Sequence, residues 1–289
     1  MLLGFISYRK VVGKNPLSIH GIMIFLAAFL FLGSPQILIA SSNDTAVDAP
    51  SGNNYDFDAD KIVFNTTENS AELISNATIT LEETVITADS IKIFFKKHAD
   101  GGTPFNESST ENFEESFENV VAKGNVNILS EGRVASGDEA IYDRAAGKLV
   151  LTGNPATLTN NEDMTSSSEI NADSIVFNET EVSAEFTGNV SFTQEKTFIM
   201  ADYVKAFFKK SADGGLFLNE GSAGNIPGSV EKIIANGNVK IVSEDAVATG
   251  DNAIYDSTVG SFVLTGDPAT LVVGVLKSSA PEVEIIGKL

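Results

Sequence analysis

The feature that most constrains the fold is an internal duplication at a constant offset of 113 residues. Between Ala122–Leu158 and Ala235–Leu271, 24 of 37 ungapped positions are identical. The same offset carries Ala59-Asp60 and Ile62-Val63-Phe64-Asn65 onto Ala172-Asp173 and Ile175-Val176-Phe177-Asn178. It also carries Ala88-Asp89, Phe94-Phe95-Lys96-Lys97 and Ala99-Asp100-Gly101-Gly102 onto Ala201-Asp202, Phe207-Phe208-Lys209-Lys210 and Ala212-Asp213-Gly214-Gly215. Two like modules in tandem follow, over 56–168 and 169–289.

Each module reads as all-β. Ile91, Ile93 and Phe95 alternate with Lys92, Phe94 and Lys96, a period of two that puts apolar side chains on one face of a strand. Val126 and Ile128 flank Asn127, and Val239 and Ile241 flank Lys240. Gly124-Asn125, Gly153-Asn154, Gly188-Asn189, Gly237-Asn238 and Gly266-Asp267 supply positive φ and predict tight hairpin turns. Val134, Ala140 and Tyr142 are expected on one face, as are Val247, Ala253 and Tyr255. The segments Thr103–Ser116 and Leu216–Ser229, alike in position but not in sequence, read as loops. The phrase x-Gly-Asn-Val-x-apolar recurs at Lys123–Ile128, Thr187–Phe192 and Asn236–Ile241, which suggests stacked rungs in a sandwich, jelly roll or rolled sheet.

The N-terminus predicts export. Arg9, Lys10 and Lys14 precede an apolar run from Gly21 to Leu32, and Ala40-Ser41-Ser42 offers a cleavage site. Residues 1–40 thus read as a signal peptide and 41–55 as a small, polar linker, with an uncleaved anchor over 17–40 as the competing reading. Composition then removes whole function classes. With 39 acidic against 19 basic residues the net charge is −20, which repels phosphate backbones and excludes nucleic-acid partners. The chain has no cysteine and only His20 and His98, so thiol catalysis, Cys-ligated zinc and His-based triads are out of reach.

Nothing else points to an enzyme, a metal or a cofactor. Asp138 and Asp143, repeated as Asp251 and Asp256, are paired carboxylates. Five residues of strand nevertheless separate each pair by about 17 Å, too far for glycoside chemistry. Asp100-Gly101-Gly102 and Asp213-Gly214-Gly215 read as turns, without the ligand ladder of a calcium loop.

The apolar faces remain, and periodicity alone leaves them as either a filled core or an open groove. Their members are Ile62, Phe64, Ile91, Ile93, Phe95, Val126, Ile128 and Tyr142 in the first module. In the second they are Ile175, Phe177, Val190, Phe192, Val204, Phe208, Val239, Ile241 and Tyr255. The phrases Phe186-Thr187-Gly188-Asn189-Val190, Ala201-Asp202, Tyr142-Asp143 and Val150-Leu151-Thr152-Gly153-Asn154 resemble the OstA-like (organic solvent tolerance) family. The likeness spans all of module two and module one from Ala88 to Leu158. Module one opens instead with Leu73-Ile74-Ser75-Asn76-Ala77 where Gly-Asn-Val is expected.

That resemblance implies two OstA-like β-jelly-roll or rolled-sheet modules stacked end to end, whose apolar interior holds the acyl chains of lipid A. It implies a non-enzymatic periplasmic protein that binds lipopolysaccharide and bridges the inner and outer membranes, with other β-jelly-roll components at each membrane as partners. The apolar residues named above become the lipid-contacting set. Rival readings are an inner-membrane-anchored component of the same pathway and a structural or adhesive surface repeat. Finally, the opening rung Asp56-Phe57-Asp58 recurs as Glu169-Ile170-Asn171 and as Glu282-Val283-Glu284. The third copy either caps its own module or offers an edge for head-to-tail homo-oligomers.

Overall fold

The computed structural model describes residues 55–81, 84–96, 117–130, 133–160, 168–194, 196–209, 230–244, 246–274 and 276–286. The expected signal peptide, nearly all of the linker, both long loops and the repeated Asp-Gly-Gly segments lie outside the described residues. Module one contributes β1 (Tyr55–Asp58), β2 (Lys61–Asn65), β3 (Ser70–Leu81), β4 (Thr84–Phe95), β5 (Phe117–Ser130), β6 (Arg133–Asp143) and β7 (Lys148–Asn160). Then follow β8 (Ser168–Asn178), β9 (Ser183–Gln194), β10 (Thr197–Phe208), β11 (Val230–Val242), β12 (Ala246–Asp256), β13 (Ser261–Val273) and β14 (Leu276–Ile286).

All of them belong to one antiparallel sheet, in which from β3 onward each strand pairs with the next in sequence. β1 and β2 share the opening edge, β2 pairing with the first half of β3 and β1 with the second. The sheet does not break at the duplication boundary, because β8 pairs with β7 on one side and β9 on the other. The third copy of the opening rung lies within β14, which pairs in register with β13 from Ser261↔Ile286 to Val273↔Leu276.

Four hairpin turns close one end of the strands, and each is set by an Asn or Asp that ends its strand. Asn65 Oδ1 accepts from the amides of Thr67 and Glu68 at 3.0 and 3.1 Å. Asp143, Asn178 and Asp256 Oδ1 each accept from an amide of their own turn at 2.9 Å. These are Asx turns, in which a short side chain replaces a backbone acceptor. The repeated Phe-Asn and Tyr-Asp dipeptides are thus an inward aromatic followed by a turn-former, which gives Asp143 and Asp256 structural work.

The Gly-Asn pairs sit elsewhere than expected. Gly124-Asn125, Gly188-Asn189 and Gly237-Asn238 all take positive φ, but in the middle of β5, β9 and β11. There they form bulges, where the ladder shifts register between Lys123 and Val126, or between Asn236 and Val239. Gly153-Asn154 and Gly266-Asp267 likewise lie inside β7 and β13, each beside a register shift. Ladder after ladder shifts at this level, so the sheet is creased along one line into two leaves.

An Asp from a neighbouring strand clasps each Gly-Asn bulge. Asn125 Nδ2 donates to Asp89 at 3.0 Å, Asn189 to Asp173 at 3.2 Å and Asn238 to Asp202 at 2.8 Å. The departure at Ser75-Asn76 keeps the same geometry without glycine. Ser75 and Asn76 have φ of 62° and 51°, and Asn76 Nδ2 donates to Asp60 at 3.1 Å.

The crease also changes which residues face inward. β5 and β9 keep one parity through their Gly-Asn bulge, so Ala122, Val126 and Ile128 are all buried. β6 switches parity: Ala135 is buried on one leaf and Ala140 on the other. Val134 therefore does not share the face of Ala140 and Tyr142; it pairs with Leu129, which is exposed. Val247 is set apart in the same way, with Ala248 buried in its place.

A lone flat sheet leaves both faces wet, yet Leu151, Leu158 and Ile175 are fully enclosed. Among the described residues there is no second sheet and no helix. The cover for each leaf is therefore the other leaf.

Candidate functional site

The space between the leaves is lined by rows of side chains that cross the sheet in register. One row reads Ile62, Leu73, Ile91, Ala122, Ala140, Leu151 and Ile175 from β2 to β8. It goes on through Phe186, Val204, Ala235, Ala253, Leu264 and Val283 to β14. Thirteen strands at 4.8 Å spacing give it a length of about 58 Å without a charged or polar side chain. A second row on the same leaf includes Ile93, Val120, Tyr142, Leu149, Phe177 and Ala184. On the opposite leaf, Phe57, Ile79, Ile86, Ile128, Ala135, Leu158, Ile170, Phe192, Ile199 and Ile241 form a third.

The structure brings most of the expected set together. Ile91, Ile93, Phe95, Val126, Ile128, Ile175, Phe177, Val190, Phe192, Val204, Phe208, Val239 and Tyr255 are buried in one continuous cluster. Ile241 is partly buried against it, and Tyr142 is half-buried at its margin. Ile62 and Phe64 depart from the expected enclosure. Their register with Leu73 and Ala71 turns them inward, but they are 39% and 57% exposed because β2 pairs only with β3 among the described residues. Burial falls again toward the other edge, where Phe262, Leu271 and Val283 are only partly covered. Among the described residues the interior is closed in its middle and less covered toward both edges of the sheet.

Sequence reasoning missed Leu73, Leu151, Leu158, Ile170, Phe186 and Leu264, all at most 1% exposed. It also missed inward alanines such as Ala156, Ala184 and Ala269, which are 0% exposed. A usable signal existed, since Leu151 and Ala156 recur at the repeat offset as Leu264 and Ala269.

The lysine ion pairs of this leaf lie on its outer face. Lys92 bridges Glu68 at 2.7 Å, and its repeat Lys205 bridges Glu181 and Glu185 at 2.9 and 2.6 Å. The two carboxylates hold the Lys205 ammonium well above the ordinary lysine range despite some desolvation. At the margin of the second row the Tyr142 hydroxyl donates to Glu179 Oε1 at 3.5 Å. Burial pushes both the Tyr142 phenol and the Glu179 carboxyl upward. Asp138 stands exposed near the crease.

No curated protein sequence matches the chain. Among solved structures, the crystal structure of LptH, the LptA homologous periplasmic component of the conserved lipopolysaccharide transport device from Pseudomonas aeruginosa, aligns at 10% identity. That alignment covers 53% of this chain and 75% of that one, with a TM-score of 0.23. Residues 56–174 and again 169–284 match the family described as LptA/(LptD N-terminal domain) LPS transport protein. Two matches that together span most of the sequence place this chain in the LptA/LptD N-terminal family of lipopolysaccharide transport proteins.

Proposed function

We propose that the protein is a periplasmic bridge component that carries lipopolysaccharide between the inner and outer membranes, with the acyl chains held against the inward rows. The observation that supports this most is the unbroken apolar row across both modules. Each methylene withdrawn from water is worth about 0.8 kcal/mol, so a dozen-carbon chain crossing an aqueous space faces a barrier of about 10 kcal/mol. A repeated apolar surface lowers that barrier without chemistry. Because successive rungs are alike, it also offers no single deep trap. The enclosed middle implies that chains enter where the interior is open, at the edges, or by parting the leaves. The two sheet edges, β1/β2 and β14, are the surfaces where neighbouring β-jelly-roll components or a second copy would add strands.

The test is mass spectrometry of lipid extracted from the exported, purified protein, combined with photo-crosslinkers at Tyr142, Ile241 and Lys92. Lipopolysaccharide should be present, and Tyr142 and Ile241 should capture it while the outward Lys92 does not. Absence of lipid, or equal capture at all three positions, would overturn the proposal. An inner-membrane-anchored member of the same pathway is the second reading, favoured by the length of the apolar segment over 17–40. N-terminal sequencing of the purified protein separates the two.

A further inference from the structure

β6 and β12 stand apart among the described strands that cross the crease. Each places alanine in both the first and the third row: Ala140 and Ala135 on β6, Ala253 and Ala248 on β12. Between these alanines, on the inner side of the crease, stands a glycine. Gly137 pairs with the inward Val126, and Gly250 with Val239. Every other described strand that contributes to both rows has a larger side chain in at least one of them, from Val283 on β14 to Phe186 and Phe192 on β9. The interior floor of β6 and β12 is therefore little more than backbone.

One leucine from the next strand covers each floor. Leu151 on β7 is 0% exposed and reaches over Gly137, where a Cβ would stand 2.9 Å from Leu151 Cδ1 and 2.6 Å from Thr152 O. Leu264 on β13 does the same at Gly250, where a Cβ would stand 2.8 Å from Leu264 Cδ1 and 2.7 Å from Thr265 O. A leucine can leave such a place by a change of rotamer. Packing alone does not demand that the arrangement be kept, because apolar interiors accept exchanges of size when total volume is held. The duplication contains such exchanges: Leu73, Ile79 and Ile93 return as Phe186, Phe192 and Ala206. The Ala–Gly–Ala floor and its leucine return unchanged. The two copies lie six strand spacings apart, about 29 Å.

We infer that the floors of β6 and β12 are two acyl-chain bays, one in each module, and that Leu151 and Leu264 are stoppers whose place the acyl chain takes. This rests on the lipid-carrying reading above and adds a stoichiometry to it. An acyl chain offers no polar atom to recognise, and its attraction to an apolar lining is non-directional. A bay for one needs a smooth apolar floor and a side chain that yields, and both are present twice. Ile175 and Phe186, each at most 1% exposed, stand in the first row between the bays and keep them apart.

The experiment titrates lipid A and, separately, dodecanoic acid against the full exported chain and its variants, with native mass spectrometry for stoichiometry and thermal unfolding in parallel. Wild type should take up two molecules of either probe. Ala140→Leu fills one floor and should leave one molecule bound. Leu151→Ala removes one stopper and should tighten one site for dodecanoic acid by about ten-fold, the scale of two methylenes that no longer have to be rehoused. Ile175→Ala deletes a side chain as enclosed as Leu151 but outside both floors. It should lose thermal stability as Leu151→Ala does and leave both sites unchanged. If a folded Ala140→Leu still takes up two molecules, or if Ile175→Ala tightens binding as much as Leu151→Ala, the bays are overturned. Should Ala140→Leu not fold, the comparison of Leu151→Ala with Ile175→Ala decides alone. If dodecanoic acid behaves as expected and lipid A does not bind, the bays stand and it is lipopolysaccharide as the cargo that fails.

Discussion

Gly188→Ala tests whether the crease is built by the Asp–Gly–Asn clasp. Gly188 has a φ of +78°, and a Cβ there would stand 2.1 Å from Asp173 Oδ2 and 2.6 Å from its Cγ. Two costs follow. Placing an L-residue in the left-handed region costs about 1–2 kcal/mol. Driving Asp173 aside loses its bonds to Asn189, worth about 1 kcal/mol. The expected total is about 2–3 kcal/mol, or a fall in melting temperature of about 4–12 °C for a unit of this size. Asp173→Ala alone should cost about 1 kcal/mol. In the double variant the clasp is lost only once, so its cost should fall short of the sum of the singles by about 1 kcal/mol. Urea unfolding followed by circular dichroism reads all four proteins. Strictly additive costs, or a neutral Gly188→Ala, would refute the clasp as the device that holds the bulge.

Among the described residues Val182 is the only β-branched one at positive φ, at 53°, where the equivalent Asn69 uses Nδ2 to reach Phe95 O and Lys96 O. Val182→Asn should therefore stabilise the protein by about 1 kcal/mol in denaturant titration. Leu151→Ala, in the closed middle of the interior, should cost about 2–5 kcal/mol. Phe64→Ala at the open edge should cost under about 1 kcal/mol in the same assay. Burial holds the Glu179 carboxyl above its ordinary range, so the native state binds its proton more tightly than the unfolded chain does. That contribution is complete below the ordinary carboxylate range and disappears as pH rises through the raised value. Glu179→Gln should thus gain stability relative to wild type between mildly acidic and neutral pH, with the gap closing on acidification. Deleting Glu282–Leu289 should reduce any concentration-dependent oligomers seen by light scattering while leaving the remaining sheet folded.

Much of the fold was legible because two independent periodicities agreed. The period of two identified strands, and the offset of 113 showed that the same strands recur. Neither signal carries information about a crease. Gly-Asn means positive φ, and positive φ serves a hairpin or a bulge equally well; only the pairing of Asp89, Asp173 and Asp202 with these sites distinguishes them. The strands were also longer than the alternating runs suggested, because a parity switch at the crease makes one strand look like two. That switch is why Val134 was grouped with Ala140, and why Ala135 and Leu158 escaped notice. Ser75-Asn76 looked like a lost turn, yet Asn and Ser tolerate the left-handed region well enough to keep the geometry. For the site, alternation marks Ile91, Ile93 and Phe95, but it does not mark Leu151, Leu158 or the small Ala156 and Ala184. Alanine has no hydrophobic signature strong enough to stand out, although Ala156, Ala184 and Ala269 are fully buried.

Duplication within one sheet has a consequence that two linked domains would not have. Two separate open sheets have four edges, each a row of unpaired backbone groups that invites unwanted pairing. Here β7 and β8 pair as any other neighbours do, so adding a module lengthens the interior without adding an edge. Six further strand spacings contribute about 29 Å of apolar lining. The inward rows pass through the junction by way of Leu151, Ile175 and Phe186, which are among the most enclosed residues in the chain. A lipid moving along the sheet would therefore meet no polar gap between the modules, whereas two jelly rolls joined by a flexible linker would require it to cross water once more. Growth by repetition suits a carrier whose reach is set by the number of strands.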